Sequence, residues 1–190
     1  MKCHFLCRKF SFFNFIHANL APFVFLFFAA AVCGYLWEVI LTYILNGILC
    51  NRGFLHGPWL PIYGFGAVLL LWLLKRFAKH PVRIFFLSAL IGSFLELITG
   101  LALSVYWDLH YWDYSLLSWE IGGYVSLLSF IGFGIAGYLW ICILSPRLLR
   151  IWQKIPLVFQ DIFLYLFLIL FLADYVFSLL VPNGGVGVTF

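Results

Sequence analysis

Charge is what this chain has least of. Only 9% of its 190 residues are Asp, Glu, Lys or Arg, against about 25% in an ordinary soluble domain. With 65% hydrophobic residues and a mean hydropathy of +1.09, too little polar material remains to coat a water-facing globule, and a polytopic membrane protein is what the composition allows. Other absences narrow the chemistry. No Gly-x-x-x-x-Gly-Lys-Ser/Thr loop occurs, so the chain hydrolyses no nucleotide by that route. No His pair stands at metal-ligand spacing and no Ser-His-Asp order is visible, so no catalytic residue, metal or cofactor is assigned. The five cysteines are an odd number, and Cys33 and Cys142 fall inside apolar runs, so no disulfide framework is implied. No cleavage site follows a short apolar core, and Leu20 onward reads as a retained span.

What is present is apolar and aromatic. Five runs emerge, about 21–44, 59–74, 82–106, 121–144 and 157–181, and at helical rise four of them exceed the roughly 30 Å hydrocarbon core. The second is shorter and is opened by Pro58 and Pro61, so its start is expected as non-helical backbone dipping below the surface. The reading is an all-α, polytopic membrane bundle of five transmembrane helices. Its parts are an interfacial amphipathic segment 1–19, a single membrane domain 20–181 and an outer tail 182–190. Cys3 and Cys7 lie in the first of these, where palmitoylation is the alternative to an unmodified interfacial stretch.

Orientation follows from the few cations. Lys2, Arg8 and Lys9, then Lys75, Arg76, Lys79 and Arg83, then Arg147, Arg150 and Lys154 occupy alternate connections, and Arg52 alone falls on the other side. The positive-inside rule puts the N-terminus in the cytoplasm and the C-terminus outside. The net charge of +4 therefore reports topology, and no nucleic-acid partner is expected. The outer connections carry an expected interfacial belt of Trp59, Tyr63, Tyr106, Trp107, Tyr111, Trp112 and Trp119.

Against this background two acids stand out. Gly34-x-x-x-Glu38 and Gly92-x-x-x-Glu96 place a carboxylate in matching frames of two spans, at a cost of about 2.5 to 3.5 kcal/mol each on insertion scales. Ala30, Gly34, Glu38 and Thr42 form one helix face, as do Ser88, Gly92, Glu96 and Gly100. Small residues at that spacing let helices approach, so both acids are expected to face protein. Each acidic helix is followed by an outer loop and a helix with Gly-Phe-Gly, Gly64-Phe65-Gly66 in one and Gly132-Phe133-Gly134 in the other. This suggests two tandem two-helix repeats, about 21–74 and 82–144, followed by a fifth helix at about 157–181, with a binding site at the repeat interface. Glu38, Glu96 and Asp174 lie about 26, 21 and 26 Å from the inner ends of their runs by helical rise. Arg52 is expected to fold inward and pair with at least one of them, while Asp161, near an inner end, reads as interfacial.

The run Asn51-Arg52-Gly53-Phe54-Leu55-His56-Gly57-Pro58-Trp59-Leu60-Pro61-Ile62-Tyr63-Gly64-Phe65-Gly66 resembles the signature of the CmpB-type family of bacterial type IV ABC-transporter permeases. Leu95-Glu96-x-x-Thr99-Gly100, Trp112-Asp113-Tyr114-Ser115, Gly132-Phe133-Gly134 and Pro146 extend the resemblance over roughly residues 30–150. It implies a permease-like component with a carboxylate/arginine site in the outer half of the membrane. Glu38, Asn51, Arg52, Tyr63, Glu96, Asp113 and Asp174 are the candidate substrate- or ion-binding residues, and Gly34, Gly53, Gly57, Pro58, Pro61, Gly64, Gly66, Gly92, Gly132 and Gly134 are structural. Where the family pattern tends to have Asn before Gly-Pro this chain has His56, and His110 and Tyr124 stand where it tends to have Arg. The expected partners are membrane lipid, an ATPase or other membrane subunit, and further copies of the chain. Two other readings stay open. One is an intramembrane enzyme on a lipid or envelope intermediate, with Glu38 or Glu96 as base, Asp113 as partner and Arg52 clamping phosphate; the other is a membrane scaffold or accessory subunit.

Overall fold

The computed structural model describes residues 20–184; the interfacial segment 1–19, with Cys3 and Cys7, and residues 185–190 of the outer tail lie outside them. The chain runs α1 (Ala21–Asn46), α2 (Pro61–Leu74), α3 (Pro81–Trp107), a hairpin of β1 (Glu120–Ile121) and β2 (Val125–Ser126), α4 (Leu127–Leu139), a π turn (Trp140–Leu144), α5 (Ser145–Trp152) and α6 (Leu157–Leu180). Apart from the two-residue strands the regular structure is helical, as hydrocarbon demands of backbone polar groups.

Four stretches are long and apolar enough to cross a membrane: α1, α3, the continuous 127–152 unit, and α6. The expected second span falls short. α2 has 14 residues, roughly 21 Å of helix. Its start lies deep, because the Leu60 N–H donates to the Ala31 carbonyl at 3.1 Å, some 15 Å from the N-terminal end of α1 by helical rise. The loop 47–60, the first outer loop of the expected orientation, therefore occupies the depth that a longer helix would have filled, with Leu55, Trp59 and Leu60 buried. Pro61 at the first helical turn suits the start of a helix, where no N–H is needed.

Two boundaries differ from the sequence reading. The run expected to begin at Ile121 opens with the hairpin, and its helix starts at Leu127 behind a reciprocal Ser126–Ser129 capping box, which satisfies two end donors. Its far end does not stop at Leu144. The π turn widens the helix just before Pro146, making room for a residue with no N–H, and α5 continues to Trp152 where an inner loop was expected. The aromatic belt is also only partly a belt. Tyr106 and Trp119 are exposed, but Trp59 and Tyr111 are buried, because their polar tips find acceptors inside the protein.

The closest helix pairs are α1 with α2 and α3 with α4. The glycines explain both. A Cβ on Gly34 would collide with the Tyr63 ring and one on Gly64 with Phe27; a Cβ on Gly92 would collide with Phe133 and one on Gly134 with Phe85. The contacts thus match Tyr63-Gly64 to Phe133-Gly134, shifting the Gly-Phe-Gly alignment by two residues. Gly132 faces open space and Gly66 has only ordinary contact, with Leu95. A core of Leu26, Ala30, Ala67, Leu70, Ile84, Trp140 and Ile141 joins the pairs, pinned where Trp140 Nε1 donates to the Ala67 carbonyl at 2.9 Å. α6 leans on α1 through Phe163, Phe167 and Phe171, which surround Phe28, and leaves most of its own surface exposed.

Candidate functional site

Glu38 and Glu96 project from the small-residue faces of α1 and α3 toward the outer loops. Glu38 accepts a 2.5 Å hydrogen bond from the Tyr63 hydroxyl of α2, and Arg52 Nη2 of the first outer loop stands 3.7 Å from its other oxygen. Arg52 and Glu38 thus lie within ion-pair distance. Both side chains are largely withdrawn from solvent, 17% and 23% exposed, a setting in which breaking a pair costs more than at an open surface.

Glu96 is treated differently. Only 6% exposed, it accepts at Oε1 a 3.0 Å bond from the Tyr114 hydroxyl of the loop 108–119, the second outer loop of the expected orientation. Its Oε2 is buried with no hydrogen-bond partner among the described residues. The Ser129 hydroxyl of α4 faces this carboxyl. Electrostatic coupling links both acids to both phenols, with Arg52 near enough to act on Tyr114. Burial, then the Glu96 charge and hydrogen bond, push the Tyr114 phenol well above its ordinary range, so it stays a donor. Tyr114 lies in the Trp-Asp-Tyr-Ser run of the resemblance, which was the available signal for it; Ser129, an ordinary helix-cap residue in sequence, carried none.

The other candidates hold the loops. Asp174 of α6 is not at Arg52 but beneath the first outer loop, where its carboxylate accepts from the His56 N–H at 3.1 Å, the Gly57 N–H at 2.9 Å and Trp59 Nε1 at 2.6 Å. Ser178 adds a bond at 3.3 Å and also meets His56 Nδ1 at 3.0 Å. Asn51 folds the same loop by donating to the His56 carbonyl at 2.7 Å. Gly53 supplies its turn with a φ of 117°, which a side chain would resist. Gly57, just before Pro58, leaves space for the Trp59 indole. Asn183, past the end of α6, ties the loop down by donating to the carbonyls of Asn51 and Gly53. Its own carbonyl accepts from the Tyr111 hydroxyl at 2.7 Å, and burial pushes that phenol up to about 12.

Asp113 is exposed and apart from the two glutamates. It accepts from the Ser115 N–H and hydroxyl at 2.8 and 3.0 Å, and these bonds hold its carboxyl below the usual carboxylate range. His110 and Tyr124, which replace the two arginines expected from the resemblance, stack on each other with centroids 6.1 Å apart. Among the described residues no group of three or more His, Cys, Asp or Glu could hold a metal ion.

Apolar helices of spanning length, short turns at one end and polar loops folded over buried carboxylates at the other define a multi-pass helical membrane protein. The chain belongs to the family described as putative ABC-transporter type IV, whose model matches residues 25–179. No curated protein and no solved structure is similar to it by the same kind of comparison.

Proposed function

We propose that this chain is the membrane-embedded, permease-like component of an ABC-type assembly, and that the Glu38–Arg52–Tyr63–Tyr114–Glu96 cluster is its site for a positively charged ligand. One observation carries the reading: two carboxylates from separate helices share a protein-lined region with one guanidinium and two phenols. Isolated acids in hydrocarbon are costly and tend to mark a solute or ion pathway. We assign Asn51, Asp113 and Asp174 to the shaping of the loops above that cluster. The membrane domain, 20–181, is proposed to consist of two two-helix units, 21–74 and 82–144, with α6 as an added helix. The matched contacts Gly34–Tyr63 with Gly92–Phe133, and Gly64–Phe27 with Gly134–Phe85, support the duplication. The end bearing Lys75, Arg76, Lys79, Arg83, Arg147, Arg150 and Lys154 is proposed to face the cytoplasm, with the N-terminus there and the C-terminus outside.

With no phosphate loop of its own, the chain depends on a separate ATPase subunit for energy. Affinity purification of the tagged chain from its native membrane tests this. The expected outcome is stoichiometric recovery of an ATPase whose turnover falls on Glu38→Gln with the complex still intact. A homo-oligomer or a lipid complex without an ATPase would refute the permease reading.

A further inference from the structure

The two glutamates differ in how their charge is met, and the difference assigns a ligand to one of them. Glu38 has a guanidinium at 3.7 Å and a phenol at 2.5 Å. Glu96 is more buried, 6% exposed, and its Oε2 has no hydrogen-bond partner among the described residues. An ionised carboxylate with one oxygen stranded in this way is far costlier than a neutral acid with one weak contact.

Hydrogen accounting at Ser129 points the same way. A serine hydroxyl has one hydrogen to give and two lone pairs to receive. Ser129 spends its hydrogen on the Ser126 carbonyl at 2.9 Å and receives the Ser126 N–H at 3.0 Å. With the hydrogen held there, Ser129 turns a lone pair toward Glu96; turned the other way, the same hydroxyl donates to the carboxylate. A carboxylate facing that lone pair finds a second acceptor, whereas a carboxylic acid can donate to it.

We propose that Glu96 is a proton-binding site: its carboxyl stands neutral, accepting from Tyr114 at Oε1 and turning an Oε2–H toward Ser129, and one proton is the ligand it takes up and releases. This rests on the cluster being the ligand site argued above and names the positive charge that the site carries. The groups that face the acid come from every element around it: Tyr114 from the second outer loop, Ser129 from α4, and Glu38 from α1. Tyr63 from α2 is coupled to it as well. Arg52 of the first loop acts on Tyr114 and is set against Glu38 at 3.7 Å. A metal cation is the poorer fit, since no cluster of three His, Cys, Asp or Glu ligands exists among the described residues.

Infrared spectroscopy of the purified chain in lipid, titrated in pH at constant ionic strength, tests the assignment directly. At neutral pH a carbonyl band of a protonated carboxyl is expected, absent in Glu96→Gln, retained in Glu38→Gln, and shifted but not lost in Ser129→Ala. The serine variant serves where Glu96→Gln fails to fold. No band that responds to either Glu96→Gln or Ser129→Ala overturns the proposal, as does a band that follows Glu38. Loss of the band on adding sodium ion at fixed pH assigns the position to a metal cation and equally overturns it. The measurement needs neither an ATPase nor a transported solute. Absence of the band beside a co-purified ATPase therefore strikes the proton alone, and the band without an ATPase strikes only the permease reading.

Discussion

The half of the bundle around Glu38 and the half around Glu96 hold the same acid in the same frame. A glycine four residues earlier on the same helix meets an aromatic ring in both, Tyr63 in one and Phe133 in the other. Yet Tyr63 carries a hydroxyl that reaches Glu38, while Phe133 has none, and the corresponding bond to Glu96 comes from Tyr114, in a loop. The first acid meets a cation and a phenol; the second meets a phenol and a serine hydroxyl. Similar helix packing therefore supports two different electrostatic solutions, because close approach is decided by small residues within the helices and charge by what the outer loops deliver.

The largest expected effects strike what the halves share. Gly34→Leu and Gly92→Leu should each prevent assembly, since the added side chain meets a ring held between helices, whereas Gly132→Leu, with nothing nearby, should fold. Yield of monodisperse protein in detergent reads this, and equal tolerance at all three would break the parallel. Next comes the loop anchor, found on one side only. Asp174→Ala leaves the His56 and Gly57 N–H groups and the Trp59 indole without their acceptor, at about 1 to 3 kcal/mol for each group left buried. A large drop in thermal stability and early proteolysis at residues 51–58 should follow.

The comparison sharpens at the acids. Glu38→Gln leaves Arg52 facing a neutral amide and should cost about 2 kcal/mol, while Glu96→Gln, which imitates a neutral carboxylic acid and can still donate to Ser129, should cost less than about 1 kcal/mol. The reverse order in a thermal-shift series would undo the distinction between the halves. The phenols come last, with Tyr63→Phe and Tyr114→Phe each costing about 1 kcal/mol. Tyr111 gives a pH signature outside the cluster. Its folded phenol is raised to about 12 from an ordinary value near 10, so the folded form binds more protons between those values. Stability should fall as pH rises from about 10 to 12, and Tyr111→Phe should remove that part of the alkaline slope in a denaturation series.

The acids and the arginine were legible because each stands out in the sequence: a carboxylate in an apolar run, and a lone cation between two such runs. Glycine spacing told which helix faces would meet, and the resemblance singled out the loop that folds over the acids. The register of the repeat was not legible. Gly64-Phe65-Gly66 and Gly132-Phe133-Gly134 look alike as letters, but the rings that fill the glycine notches are Tyr63 and Phe133, and a notch exists only once two helices are placed together. Asp174 was chosen for its depth in an apolar run, and its partners are backbone N–H groups and an indole more than a hundred residues away in sequence. Trp59 and Tyr111 read as interfacial anchors because amphipathic rings usually are, and they turn inward because buried acceptors were waiting.

By itself, the sequence determined the membrane as solvent, the helices and the alternation of basic connections, since these follow from transfer free energies summed over single residues. It also determined that two carboxylates must be sheltered by protein. Only the tertiary structure decided that a 14-residue α2 begins at depth beneath a folded loop, that Arg52 stands against Glu38, and that Glu96 is left with the Tyr114 phenol and the Ser129 hydroxyl. Those outcomes depend on distances between side chains far apart in the chain, and no local pattern of residues encodes which of two similar acids a single guanidinium will reach.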